Sequence, residues 1–88
     1  MKLDRQIQFS KAIKANGVIR EFNFLKIKTA AIPTYHVDVS DERGNRHYFS
    51  LIYENDEWII PKTTLPEWIM HARNEIAVVV SEYETTGQ

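Results

Sequence analysis

Phe9-Ser10-Lys11-Ala12-Ile13-Lys14-Ala15-Asn16-Gly17-Val18-Ile19-Arg20-Glu21-Phe22-Asn23-Phe24 is the stretch on which the fold turns. Asn16-Gly17 is a strong two-residue turn signal, because a type I′ turn needs positive φ at both central positions. Closing that turn pairs Ala15 with Val18, and the register follows: Ile13 opposite Arg20, Lys11 opposite Phe22, Phe9 opposite Phe24, Ile7 opposite Lys26. Alternation then sorts the side chains. One face carries Ile7, Phe9, Ile13, Val18, Phe22 and Phe24, with Lys11, Arg20 and Lys26 among them. The other carries Gln8, Ser10, Ala12, Lys14, Ile19, Glu21, Asn23, Leu25 and Ile27. A competing reading of residues 4–15 as a short helix fits the apolar spacing poorly.

The hairpin extends into a meander. Residues 29–34 form a connection in which Pro33 is kept out of a central ladder. Tyr35 to Ser40 alternates as a strand, and Asp41-Glu42-Arg43-Gly44-Asn45 reads as a turn with Gly44 left-handed. Pairing Asp41 with Asn45 sets Val39 against His47, Val37 against Phe49 and Tyr35 against Leu51, with all the large apolar residues on one side. Asn55-Asp56 is a further tight turn that sets Tyr53 against Trp58 and Leu51 against Ile60. Pro61 ends the sheet.

Beyond it, Thr64 and Glu67 have capping-box spacing, with Pro66 in the first turn. The spacing predicts a helix over about 65–83, with Leu65, Trp68, Ile69, Ala72, Ile76, Val79, Val80 and Tyr83 in one stripe. His71, Arg73, Asn74, Glu75, Ser81 and Glu82 fall mostly outside it, while Met70, Ala77 and Val78 add apolar surface beside it. The expected fold is α+β: an antiparallel meander of four to five strands, followed by one long amphipathic helix packed on the sheet. Residues 1–84 form a single compact domain and residues 85–88 a disordered tail.

Composition narrows the function classes. The chain has 88 residues, 43% of them apolar and 26% charged, which fits one soluble globular domain. It contains no Cys, so there is no disulfide framework or thiolate site, as fits a reducing cytoplasm. The charged N-terminus is not a signal peptide, and the longest strictly apolar run, Ile76 to Val80, is far short of a membrane span. His36 and His47 fall on opposite faces, and no His or carboxylate spacing resembles a zinc ligand set. The carboxylates Glu54, Asp56 and Glu57, and Asp38, Asp41 and Glu42, cluster at exposed turns. With Gly17, Gly44 and Gly87 the only glycines there is no phosphate loop. The expectation is a non-enzymatic domain with no cofactor, no metal site and no membrane partner.

Charge is distributed unevenly. Residues 1–28 hold seven Lys and Arg against two acids, whereas residues 29–88 hold four against ten. On the hairpin, cations and aromatics interleave: Phe9, Lys11, Arg20, Phe22, Phe24, Lys26. Single-stranded nucleic acid is bound by that combination, with cations on phosphates and bases stacked on rings. The three Phe residues also suit a core, with Lys11 and Arg20 snorkelling from it, and the rarity of large exposed apolar patches on monomers favours that reading. Both readings cannot hold for one face.

Phe9-Ser10-Lys11-Ala12-Ile13 in the first strand, Phe22-Asn23-Phe24 in the second, and Leu65-Pro66-Glu67-Trp68 opening a helix that ends near Glu82-Tyr83-Glu84 resemble a PUR repeat, or more broadly a Whirly-like single-strand-binding fold. The likeness lies mostly in the layout of residues 7–84. It implies binding of single-stranded DNA or RNA on the sheet by paired repeats or dimers. Contacts would fall at Lys11, Phe22 and Phe24, with Lys14, Arg20 and Lys26 beside them. A single unit of this kind would act as a homodimer. The alternative is a protein-interaction or homo-oligomeric assembly module, in which a basic hairpin meets an acidic surface.

Overall fold

A computed structural model describes residues 7–28, 30–61 and 64–87. Lys2 and Arg5 of the basic segment, Thr29, Lys62, and Gln88 of the expected tail lie outside the described residues. The chain forms strands β1 (Gln8–Ala15), β2 (Val18–Ile27), β3 (Thr34–Ser40), β4 (Arg46–Glu54) and β5 (Glu57–Ile59). Helices α1 (Glu67–His71) and α2 (Arg73–Glu82) follow, and a π-helical turn over Tyr83–Gly87 continues α2. The strands form one antiparallel sheet in the order β1-β2-β3-β4-β5, curled into a half-barrel. Helix α2 touches both edge strands, β1 and β5, so the sheet wraps around the helix.

Each hairpin forms in the register its turn dictates. Asn16 and Gly17 have φ of 55° and 85°, and β1 pairs with β2 from Ala15↔Val18 to Gln8↔Leu25. Asp41 N–H donates to the Asn45 carbonyl at 2.9 Å, Gly44 has φ of 84°, and Tyr35, Val37 and Val39 face Leu51, Phe49 and His47. Asn55 and Asp56 both adopt positive φ and set Tyr53 against Trp58; the ladder stops at Ile52↔Ile59, leaving Ile60 beyond the strand. The β2–β3 register, Phe22↔Val39 through Ile27↔Thr34, aligns the apolar parity of the first hairpin with that of the second.

The result is a single core. Ile13, Ala15, Phe22, Phe24, Tyr35, Val37, Val39, Phe49 and Leu51 from the sheet meet Ile69, Ala72, Ile76 and Val80 from the helices, all essentially inaccessible. Leu65, Trp68, Val79 and Tyr83 pack around it, as the 3.6-residue stripe requires.

Two details of the helical segment differ from the sequence pattern. The capping box does not form: Pro66 is the N-cap residue and no side chain caps the helix, while Ile69 and Met70 N–H groups donate to the Pro66 carbonyl. Nor is the helix one long rod. Ala72 takes φ −94° and ψ 2°, and its N–H reaches back to Ile69 with a three-residue bond, so the axis is interrupted there. Ala72 is fully buried, and this break divides α1 from α2 over the concave sheet.

Gly17 has open space where a Cβ would stand, so a side chain there meets only backbone strain. Gly17→Ala is expected to cost about 1–2 kcal/mol, the penalty of a left-handed L-residue, measured as a lower urea midpoint with unchanged slope.

Candidate functional site

The helix covers the face that carries the three hairpin phenylalanines. Phe22 and Phe24 are 0% and 1% exposed, so their rings are core and no base can stack on them; the platform expected on these two residues does not exist. Apolar burial decides this, because each such ring gains roughly 1.5–3 kcal/mol on leaving water. Phe9 is sandwiched, its ring 4.8 Å from that of Phe24 and 4.1 Å from that of Tyr83.

Two of the four expected cations are engaged internally. The Arg20 guanidinium lies 4.9 Å from the centre of the Trp68 ring, and one of its terminal nitrogens donates to the Ser40 carbonyl at 3.5 Å. Lys26 Nζ sits 2.9 Å from Glu84 Oε2, and the same oxygen accepts a hydrogen bond from the Tyr35 hydroxyl. Burial and the neighbouring Glu84 carboxylate push the Tyr35 phenol up, so it stays a donor. Burial pushes the Glu84 carboxyl up as well, but hydrogen bonds from Tyr35 and Lys26 outweigh it and hold Glu84 below its ordinary value. This cluster ties the π-helical turn to β2 and β3. Lys11 and Lys14 remain exposed, but alternation places them on opposite sides of β1.

Among the described residues no helix lies over the other face of the sheet. Its side chains line up across the strands in rows fixed by the pairing. Ala12, Glu21, Ser40 and Arg46 form one row, Ser10, Asn23, Asp38 and Tyr48 the next, and Gln8, Leu25, His36 and Ser50 the third. Ile27, Thr34, Ile52 and Ile59 form a fourth. A hydrogen-bonded chain runs along the upper rows. Ser10 Oγ donates to Asn23 Oδ1 at 2.6 Å, Asn23 Nδ2 donates to Asp38 Oδ1 at 2.9 Å, and Arg46 donates to the same oxygen at 2.5 Å. The Arg46 contact neutralises Asp38. Tyr48 stands 64% exposed beside this chain. Leu25, His36, Asp38, Tyr48, Ser50 and Pro61 border a cleft of about 530 Å³. The β1–β2 turn end of the face carries Lys14, and Arg46 sits in the first row; the far end, at the β4–β5 turn, carries Glu54 and Glu57.

His36 borders this cleft, whereas His47 lies on the helix side with its ring 5.6 Å from that of Trp68, so the two histidines are apart as their parity requires. Among the described residues no group of three His, Asp or Glu side chains is placed to hold a metal ion, and no helix is long and apolar enough to cross a membrane.

Sequence reasoning placed Ser10, Lys14 and Asn23 on this face and gave a contact role there to Lys14 alone. The β3–β4 register already sets Tyr48 opposite Asp38, but the Asn23–Asp38 contact that joins both to the first hairpin needed the β2–β3 register, which the irregular connection around Pro33 does not disclose. No protein-family model matches the chain, and neither does any curated protein or solved structure.

The β3–β4 turn at the edge of the site is pinned by Asp41. Its carboxylate contacts His47 Nε2 at 3.1 Å and accepts the Arg43 and Asn45 backbone N–H groups at 2.9 Å. The His47 contact, with these N–H groups, outweighs desolvation and brings the Asp41 carboxyl from 3.8 to about 2. A depressed carboxyl stabilises the folded chain above its unfolded pKa and loses that contribution as pH falls through the folded one. Urea midpoints should therefore fall between pH 3.8 and about 2 in the wild type, and this part of the fall should be missing in Asp41→Asn.

Proposed function

We propose that this chain is a non-catalytic domain that binds single-stranded nucleic acid weakly on the uncovered face of its sheet. The observation that carries the reading is Tyr48, an exposed ring in a row of hydrogen-bonding side chains, Ser10, Asn23 and Asp38, on a face with Lys14 and Arg46. Single-strand binders combine a stacking ring with cations that follow the backbone, and unpaired bases present edges to Ser, Asn and His groups. The resemblance to PUR and Whirly-like domains points the same way, with the sheet as the contact surface. The stacking role passes from Phe22 and Phe24 to Tyr48, and the phosphate contacts to Lys14 and Arg46, with Lys11 at the strand edge.

The charge inventory limits the strength of binding. Among the described residues three cations border this face, Lys11, Lys14 and Arg46, of which Arg46 is paired with Asp38 and stands in the same row as Glu21. Each phosphate neutralised on a single strand contributes about 0.7 to the slope of log K against log salt, so the slope should be near −2.

Fluorescence anisotropy with a labelled single-stranded oligonucleotide at low and physiological salt tests this directly. Binding should weaken with that shallow slope. Tyr48→Ala should lose about 1–3 kcal/mol of affinity, the worth of one stacked base. Glu21→Gln should bind more tightly than wild type. No binding at low salt would reject the reading and direct attention to a protein partner, for which Leu25 and the adjacent row of Ile27, Ile52 and Ile59 give the same face apolar side chains.

A further inference from the structure

Strand β1 is an edge strand with eight residues and no proline, and it lies at one side of the sheet with no neighbour beyond it among the described residues. The hydrogen-bond pattern shows which of its backbone groups are left over. Lys26 N–H donates to the Ile7 carbonyl, so Ile7 faces β2 through its backbone, and the antiparallel ladder repeats every second residue. Phe9, Lys11, Ile13 and Ala15 therefore turn their backbone groups towards β2. Ser10, Ala12 and Lys14 turn theirs outward.

Alongside that edge runs a groove of about 450 Å³ bordered by Ala12, Ile13, Lys14, Asn74, Glu75 and Val78. Val78 is 52% exposed there. Lys11 and Glu75 are both exposed, and among the described residues neither forms an ion pair within its own chain.

We propose that β1 pairs antiparallel with β1 of a second copy of this chain about a two-fold axis at Ala12, joining the two sheets edge to edge. The constraints on the register select this arrangement. A two-fold axis perpendicular to the sheet keeps both helices on the same side, so residues of like parity must meet. The outward-facing groups must also meet, which restricts the hydrogen-bonded pairs to Ser10, Ala12 and Lys14. An axis at Lys11 or at Ile13 also satisfies both conditions, but the first sets the two Lys11 side chains against each other, and directly opposed like charges destabilise a strand pair, while the second sets Lys11 against Ala15, outside the groove that Glu75 lines. The axis at Ala12 sets Ala12 against Ala12, Ser10 against Lys14, and Lys11 against Ile13.

In that register Lys11 of each copy points to the helix side, beside Ile13 of the other, where Glu75 shares the groove. Two symmetric Lys11–Glu75 ion pairs result, and the exposed Val78 side chains flank them. Lysines on an edge strand ordinarily discourage pairing. Here the acid on α2 converts one of them into a determinant of partner choice. Strand β5 offers no comparable edge, having three residues closely followed by Pro61. Self-pairing through β1 alone also closes the assembly, whereas a β1–β5 contact would propagate.

Sedimentation velocity on the full chain, with far-UV circular dichroism as the folding control, tests the proposal. The wild type should sediment as a dimer at high protein concentration and low salt. Lys11→Glu should be a folded monomer, and Lys11→Glu combined with Glu75→Lys should restore the dimer. Because the chain has no Cys, Ala12→Cys introduces a lone thiol at the axis. It should cross-link to a covalent dimer on mild oxidation, while Ser10→Cys, which faces Lys14 of the other copy, should not. A wild-type monomer under these conditions overturns the proposal. So does a dimer that survives Lys11→Glu and leaves Ala12→Cys uncross-linked. Neither readout involves an oligonucleotide, so the assembly and the nucleic-acid reading stand or fall separately.

Discussion

Burial of Phe22, Phe24, Tyr35 and Leu51 against Ile69, Ile76 and Val80 is the constraint from which the other surfaces follow. A sheet has two faces, and among the described residues one helical segment is there to cover them. The face with the larger apolar content is covered, because several fully buried large side chains at roughly 1.5–3 kcal/mol each outweigh any alternative docking of the helix. Once that face is closed, Arg20 is drawn under Trp68 and Lys26 is drawn to Glu84. Among the described residues of the hairpin strands, Lys11 and Lys14 are then the cations left exposed. What remains for a partner is the opposite face and the unpaired edge of β1.

These two surfaces differ in kind. The open face offers side chains: a hydrogen-bonded row from Ser10 to Arg46, an exposed Tyr48 and a shallow cleft next to His36. The edge offers backbone groups in a fixed order, with one charge pair to set the register. A dimer through the edge would make the open faces of two copies continuous. It would bring Arg46 of both copies onto one surface, while Ser10 and Lys14 would lie at the seam and Lys11 would be held by Glu75. Weak binding by one copy and useful binding by two are compatible in this geometry, since linking two sites turns the second contact into an intramolecular one.

Much of the fold was legible because turn chemistry and alternation are local. Asn16-Gly17, Asp41 to Asn45 and Asn55-Asp56 each set a hairpin register that the structure reproduces pair by pair. The helical stripe from Leu65 to Tyr83 was legible for the same reason. Its break at Ala72 was not, since alanine favours a helix and the interruption is a tertiary effect. The missing cap at Thr64 shows the converse: spacing alone does not make a capping box. The ring platform expected at Phe22 and Phe24 falls on the face that the helix buries. Interleaved Phe and Lys/Arg residues fit both a core and a platform, and the choice depends on where a helix fifty residues later comes to rest. The side on which Tyr48 stands follows from the Asp41–Asn45 turn, but its place in one row with Ser10 and Asn23 comes through the β2–β3 register, which no local turn encodes.

The central claim is that the helix-free face is the working one. Amide chemical-shift mapping of the ¹⁵N-labelled chain, titrated with a short single-stranded oligonucleotide at low salt, tests it most directly. The account predicts that perturbations concentrate at Ser10, Lys14, Asn23, His36, Arg46 and Tyr48, leaving α2 unchanged. Perturbations centred on Phe22, Phe24, Trp68 and Ile76, with the open face silent, would contradict it, because they would require the helix to leave the sheet.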